Sequence, residues 1–114
     1  LQELEAGESS DAIRERVVRA RAIQAERFAS DPATHCNAQM SPKQLAMYAR
    51  PTDEAMAILE RAMVKYDMSA RAYDRILKVA RTIADLDGAE TIGPAHIREA
   101  ISYRSLDRST WGLK

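Results

Sequence analysis

Apolar residues recur at intervals of three and four along most of this chain, the spacing that gathers them on one face of an α-helix. The most regular stretch begins after Ser69, whose hydroxyl can cap a helix, and ends near Gly88, a residue suited to a left-handed helix end. Its apolar positions are Tyr73, Ile76, Leu77, Ala80, Ile83 and Ala84. The pattern predicts a helix between Ser69 and Gly88.

Four further helices are predicted from the same spacing together with capping residues and prolines. They cover about residues 11–29, 42–49, 53–66 and 94–103. The first is expected to be capped by Ser10 and to bury Ile13, Val17, Ala20 and Phe28. The others open with the capping box Ser41-Pro-Lys-Gln44, with Thr52 and with Gly93-Pro94.

Composition agrees with a helical fold. The 114 residues fit one domain, and 46% of them are hydrophobic, which is ordinary for a folded protein. Aromatic residues are scarce, and Ala, Leu, Ile, Met and Val fill the apolar positions, which suits close helix packing better than sheets. We therefore expect an all-α domain, a small bundle of about five helices.

Charge and cysteine content limit the classes of function. Basic and acidic residues number 17 each, so the chain lacks the net positive charge typical of sequence-independent nucleic-acid binding. The first predicted helix is the most basic segment, with Arg14, Arg16, Arg19, Arg21 and Arg27 on its other faces. The single cysteine, Cys36, cannot form an internal disulfide, and no long apolar run predicts a membrane span. We expect a cytoplasmic location.

Arg71 is the most informative charged residue, because it falls in the first turn of the helix that Ser69 caps. The helix dipole and unpaired backbone N–H groups make that turn electrically positive, so a cation there is slightly unfavourable by itself. The same arrangement becomes favourable when a phosphate binds. The residues leave two interpretations open: Arg71 faces a phosphate, or it forms a surface ion pair with Asp67 or Asp74.

Arg75 and Lys78 continue from Arg71 along one face of the same helix, with Arg81 nearby. They predict a basic strip for a nucleotide, DNA or the carboxylates of a neighbouring subunit. The alternative is an ordinary solvated helix face, in which Asp74 and Lys78 pair across one turn.

Other chemistry has little support in the sequence. His35 and Cys36 are adjacent, but the only other histidine is His96 and no second cysteine exists, so no zinc shell is expected within the chain. No phosphate-binding loop, dinucleotide-binding fingerprint or catalytic triad pattern occurs. We expect no catalytic residues and no metal in this chain itself.

Several strings resemble the C-terminal domain of the Mg-chelatase-like ComM/YifB proteins. The longest runs from Ser69 to Gly88 and reads SARAYDRILKVARTIADLDG. Others, in the same order along the chain, are Gly7-Glu-Ser-Ser10, Arg27-Phe28, Cys36-Asn-Ala, Met40-Ser-Pro42 and Ile92-Gly-Pro-Ala-His-Ile97. The resemblance covers nearly the whole chain.

The resemblance implies an α-helical lid that follows an AAA+ ATPase core. Residues 1–8 would then be a linker from that core, residues 9–108 the lid and residues 109–114 a tail. In this family Ser69-Ala-Arg71 looks like the sensor-2 motif, which implies that Arg71 contacts the γ-phosphate region of ATP, in its own or a neighbouring subunit.

Further properties of the parent protein follow from the resemblance. It implies an ATP hydrolase that uses ATP and Mg²⁺, assembles as a homohexamer and remodels DNA by branch migration. Two alternatives stay open: the lid of a magnesium-chelatase-type motor subunit, and a free-standing helical module that binds DNA or protein.

Overall fold

The computed structural model describes residues 9–112, with side chains as far as Tyr103. Its elements are α1 (Ser10–Arg27), a 3-10 helix (Asn37–Gln39), α2 (Pro42–Tyr48), α3 (Asp53–Lys65), α4 (Ala70–Leu86) and α5 (Pro94–Gly112). Within these residues the only β-type pairing is an isolated bridge between Pro51 and Ile92. The prediction of an all-α bundle with five α-helices is confirmed.

The long helix α4 lies at the centre of the domain. It packs against α1, the 3-10 helix, α2 and α5, while α3 packs against α5. The apolar side of α4 supplies Ile76, Leu77, Ala80 and Ala84 to the core, as its spacing predicts. The most deeply buried side chains elsewhere include Leu59 in α3, Ile97 in α5 and Ile92 in the connection between α4 and α5.

Short polar side chains cap the helices at their N-termini. The capping box at Ser41 is present with both of its hydrogen bonds, and Thr52 and Ser69 cap α3 and α4 as predicted. The prediction for α1 is wrong by one residue. Ser9, not Ser10, is the cap, because its Oγ accepts the N–H of Ala12 at 3.1 Å.

The last helix is longer than predicted, since α5 continues past Tyr103 to Gly112. The residues from 104 onward have no strong apolar periodicity. The pattern alone therefore predicted that the helix ends near residue 103, whereas the backbone stays helical. Residues 109–112, expected to belong to a tail, are helical. The expected linker, residues 1–8, and the last two residues of the expected tail lie outside the described residues.

A left-handed residue follows each of the helices α3 and α4. Asp67 follows α3 with φ of 51°, and Gly88 follows α4 with φ of 72°. In each case the next N–H bonds back five residues, from Met68 to Met63 O and from Ala89 to Ala84 O. These are Schellman motifs, in which one left-handed residue turns the chain and satisfies the last helical carbonyls.

The first helix is attached to the domain mainly near its C-terminal end. Ala20 is its one buried residue, and Phe28 is buried directly after it. The prediction that Ile13 is buried is wrong: its side chain is 39% exposed, and Val17 is half-buried. The N-terminal half of α1 therefore has little apolar contact with the described part of the domain.

None of the helices in the described range has the length and apolar character needed to cross a membrane.

Candidate functional site

The N-terminus of α4 is built as its sequence predicts. Ser69 has an extended backbone, its Oγ accepts the N–H of Ala72 at 3.2 Å, and its carbonyl accepts the N–H of Tyr73 at 3.0 Å. One free N–H is thus satisfied by the cap. The remaining N–H groups of the first turn keep the positive end of the helix dipole directed outward.

Arg71 lies in this first turn and is exposed. Within the described part of the chain, its guanidinium forms no ion pair and no hydrogen bond, and neither Asp67 nor Asp74 pairs with it. The alternative interpretation, a surface ion pair with one of these carboxylates, is therefore not what the structure contains. Arg71 is a solvated cation beside a helix N-terminus.

Tyr73, two residues further along the helix and therefore on a different face from Arg71, is half-buried, and its hydroxyl donates to the sulfur of Met56 at 3.6 Å. Burial raises the pKa of the Tyr73 phenol, and the negative charges of Glu60 and Asp74 raise it further. The carboxylates of Glu60 and Asp74 thus act on Tyr73, on a different face of α4 from Arg71.

The predicted basic strip is only partly present. Arg75 is exposed and has an interaction partner, and Lys78 is half-buried. Lys78 also lines a groove between α4 and α5, together with Thr82, Ile83 and Glu99. The three cations 71, 75 and 78 share one face of α4 through their spacing of four and three residues. Asp74 and Lys78 form no ion pair among the described residues.

Arg81 does not belong to this strip, contrary to the prediction. It is 3% exposed and faces the interior. Its NH1 donates to the carbonyls of Tyr48 at 3.2 Å and Glu90 at 2.9 Å, and its NH2 donates to that of Ala89 at 2.7 Å. One guanidinium thereby joins the end of α2 to the connection between α4 and α5.

A buried carboxylate, Asp85, is the centre of a polar cluster that the sequence analysis missed. Arg27 binds it with two parallel hydrogen bonds of 2.9 and 2.8 Å. Asn37 Nδ2 donates to it at 2.8 Å, and Arg81 Nε at 3.1 Å. The exposed fraction of the Asp85 side chain is 0%. We call Arg27, Asn37, Arg81 and Asp85 the buried polar cluster.

Arg27 was expected on the solvent face of the first helix, and this expectation is wrong. Its side chain is 11% exposed, and it also donates to Asn37 Oδ1 at 2.9 Å. The guanidinium carbon lies 5.9 Å from the ring centre of Phe28 and 6.0 Å from that of Tyr48. Arg27 is thus held by charge, hydrogen bonds and two aromatic faces.

The electrostatics of the cluster favour its charged form. Burial alone would raise the pKa of Asp85, but the hydrogen bonds from Arg27 and Asn37 and the charge of Arg81 outweigh it, so the pKa is lowered. Burial lowers the pKa of Arg81, although the Asp85 charge acts in the opposite direction. In the described residues, every deeply buried side-chain nitrogen and oxygen has a hydrogen-bond partner.

A sequence signal for this cluster exists in α4. Arg81 and Asp85 are one turn apart, and each is the immediate neighbour of an apolar stripe residue, Ala80 or Ala84. A charged pair beside the buried stripe indicates a buried ion pair. Its third member, Arg27, is 58 positions from Asp85, and no local pattern connects them.

His96 has a structural role at the start of α5. Its Nδ1 accepts the N–H of Gly93 at 2.9 Å, so its Nε2 carries the proton that is shared with Asp87 Oδ2 at 3.0 Å. The ring occupies the position of Gln or Glu in a capping box. Among the described residues, no group of three His, Cys, Asp or Glu side chains is arranged to hold a metal ion.

Comparison with known proteins places the chain in a family. The family model for the C-terminal part of magnesium chelatase subunit ChlI matches residues 7–104. The chain belongs to this family. It is 42% identical over 102 residues to the competence protein ComM of Haemophilus influenzae, and the match covers 90% of this chain. It is 37% identical over 102 residues to YifB of Escherichia coli, with the same 90% covered.

A third relative, an uncharacterised protein of Mycobacterium tuberculosis, is 36% identical over 98 residues, or 86% of this chain. The predicted membership in the ComM/YifB group, as a C-terminal domain, is confirmed. The chain spans 19% of the length of each of these relatives.

Proposed function

We propose that this magnesium-chelatase C-terminal domain is the lid of an AAA+ ATPase and that Arg71 is its nucleotide-sensing residue. The family description, which places the domain at the C-terminus, supports an ATPase core upstream of it. The observation that carries the residue assignment is the state of Arg71: exposed, at a helix N-terminus, and without an ion-pair partner among the described residues.

The chemistry follows from that position. An unpaired guanidinium beside outward N–H groups presents donors and positive charge to an approaching phosphate oxygen. Charge that accumulates on the transferring phosphoryl group is stabilised by such a cation, so hydrolysis is accelerated. When the γ-phosphate leaves, the attraction is lost and the lid is released. ATP turnover would thereby move the domain as a rigid body.

The remaining parts of the proposal concern the whole protein. ATP and Mg²⁺ bind to the core, Arg71 reaches the nucleotide of its own or a neighbouring subunit, and Arg75 and Lys78 provide secondary basic contacts. The motor is a cytoplasmic homohexamer, and its substrate is DNA, on which it acts by branch migration. These parts rest on what the family resemblance implies.

The test is Arg71→Ala in the full-length protein. We expect kcat for ATP hydrolysis to fall by roughly 10²-fold, the loss typical for removal of one group that stabilises transition-state charge. Arg71→Lys should recover part of the rate, because it keeps the charge without the planar fork. Arg61→Ala, at an exposed arginine of α3, is the matched control and should leave kcat unchanged.

Two measurements make this test decisive. Light scattering after size-exclusion chromatography establishes that the variant still assembles like the wild type. Unchanged kcat and KM in an intact assembly would show that Arg71 is not a sensor and that the domain has another role.

The family description also supports a second candidate, the lid of a motor that drives metal insertion into a porphyrin. Both candidates assign the same role to Arg71. They differ in what stimulates the full-length ATPase, branched DNA in one case and a porphyrin-binding partner complex in the other.

A further inference from the structure

The attachment of α1 to α4 is unusual in being mainly polar. Of the 18 residues of α1, only Ala20 is buried, and the helix has no continuous apolar face against the core. Its C-terminal end is fixed by the buried ring of Phe28, which follows it, and by Arg27, through two hydrogen bonds to Asp85 and one to Asn37. Apolar contacts tolerate sliding and rotation, whereas a paired guanidinium and carboxylate must meet in one plane.

We propose that Arg27 and Asp85 form a joint through which α1 sets the orientation of α4, and with it the position of Arg71. This inference rests on the proposed function, since it describes how the sensor is held. Arg27 is a positioning residue in this scheme: it lies at the opposite end of α4 from Arg71 and does not reach the nucleotide.

The geometry of α4 explains how the orientation of α1 affects the position of Arg71. The helix runs without interruption from Ala70 to Leu86, so its two ends move together. Asp85 is in its last turn and Arg71 in its first. A small rotation at the Asp85 end therefore displaces the Arg71 end, because a helix of this length behaves as a rigid element.

The rest of the buried polar cluster stiffens the joint. Arg81 donates to Asp85 and to three backbone carbonyls. The position of the carboxylate is therefore fixed by Arg81 as well as by Arg27. Asn37 bridges the two partners, with its Oδ1 on Arg27 and its Nδ2 on Asp85. The orientation of α1 is thus determined relative to α2, the 3-10 helix and α4 at once.

In the full-length protein the proposed ATPase core would precede α1. A displacement of the core on nucleotide binding or release would reach the lid through α1. The joint between Arg27 and Asp85 would convert that displacement into a change in the position of Arg71. Without these directional hydrogen bonds, α1 could rotate relative to α4 about its few apolar contacts. The position of Arg71 would then not change with the orientation of α1.

The experiment is a double-mutant cycle between Arg27 and Arg71 in the full-length ATPase. Arg27→Lys keeps the charge and removes the planar fork, and Arg21→Lys, on the exposed side of α1, is its control. We expect Arg27→Lys to lower kcat at least about fivefold with little change in the KM for ATP, and Arg21→Lys to change neither. In the Arg71→Ala background, Arg27→Lys should cause no further loss, because its effect passes through Arg71.

The possible outcomes separate the joint from the sensor. If Arg71→Ala lowers kcat but Arg27→Lys does not, the proposal of a joint is wrong, while the proposal that Arg71 senses the nucleotide is retained. An equal loss from Arg27→Lys in both backgrounds also overturns the joint, since a general structural defect would act in this way. If Arg71→Ala is silent, the proposed function itself fails.

A second variant guards against an unfolded protein. Asn37→Ala removes the bridge between Arg27 and Asp85 while the charged pair stays intact. It is used in the same cycle if circular dichroism shows that Arg27→Lys has lost helical structure at the assay temperature. A smaller drop in kcat, again absent in the Arg71→Ala background, supports the joint, and an unchanged kcat contradicts it.

Discussion

Arg81 and Asp85 lie one helical turn apart on α4, both are buried, and Nε of Arg81 donates to Oδ1 of Asp85 at 3.1 Å. With Arg27, the carboxylate faces two guanidinium groups, so the cluster holds one negative and two positive charges. The surplus positive charge is compensated by backbone carbonyls, which accept from Arg81. The carboxylate is the single acidic member, and both cations depend on it.

Removal of the Asp85 charge should therefore destabilise the domain strongly. For Asp85→Asn we expect the free energy of unfolding to fall by about 3 to 5 kcal/mol, because two buried cations lose their counter-ion. Urea unfolding followed by circular dichroism measures this. Glu60→Gln, at an exposed carboxylate of α3, should stay within about 0.5 kcal/mol of the wild type. Equal effects of the two substitutions would contradict the role of the cluster.

The stability contributed by Asp85 should depend on pH in one direction. The pKa of Asp85 is lower in the folded protein than its ordinary value, because the hydrogen bonds and cations outweigh burial. The contribution is therefore fully present above the unfolded-state pKa of about 4 and is lost as the pH falls through the folded-state pKa.

The stability difference between wild type and Asp85→Asn isolates this group from the other carboxylates. It should be constant from pH 7 to about pH 5 and should shrink below about pH 4. Urea unfolding of both proteins at each pH provides the comparison. A difference that does not change with pH would mean that Asp85 is not ionised in the folded domain.

The two left-handed residues predict stability changes of opposite sign. Gly88→Ala should destabilise by about 1 kcal/mol, because an L-residue is strained at positive φ, although a Cβ there would meet no atom within 4 Å. Asp67→Gly should stabilise by up to about 1 kcal/mol, because glycine removes that strain at φ of 51°. Thermal unfolding of both variants tests the pair, and the same sign for both would be inconsistent with backbone strain.

The capping role of the His96 ring predicts that replacement by alanine and replacement by glutamine differ in their effect on stability. His96→Ala should cost about 1 kcal/mol, since the N–H of Gly93 and the start of α5 lose their cap. His96→Gln should keep most of the stability, because glutamine can accept the same N–H in the way that Gln44 accepts that of Ser41. Chemical denaturation at neutral pH compares the two. If both lose the same stability, the ring acts through packing or through Asp87 instead.

Much of the fold could be predicted because its signals are local. The helix after Ser69 is marked by a cap, a stripe and a terminal glycine, and all three occur in the structure where the sequence indicates them. At α1 the two adjacent serines offer equivalent caps, and sequence alone does not distinguish them. The continuation of α5 has no such marks, so its length could not be predicted from periodicity.

In the candidate site, too, the features with local sequence signals could be predicted and those that depend on packing between helices could not. The exposed position of Arg71 follows from its place in the first turn, away from the stripe. Arg27 and Arg81 were expected at the surface because a charged side chain is usually solvated, and only a partner can reverse that. That partner, Asp85, is brought to Arg27 by the packing of α1 on α4, which a pattern within one helix does not contain.

The cap at Ser69 and the Schellman turn at Gly88 also define which residues form α4. Gly88 ends α4 on one side, and Asp67 ends α3 two residues before the Ser69 cap on the other. Arg71 and Asp85 are separated by about four helical turns, or roughly 21 Å. One residue inserted between them would rotate Arg71 by about 100° relative to Asp85. The number of residues between Arg71 and Asp85 therefore fixes the angle between their side chains about the helix axis, and an insertion or deletion can change that angle only in steps of about 100°.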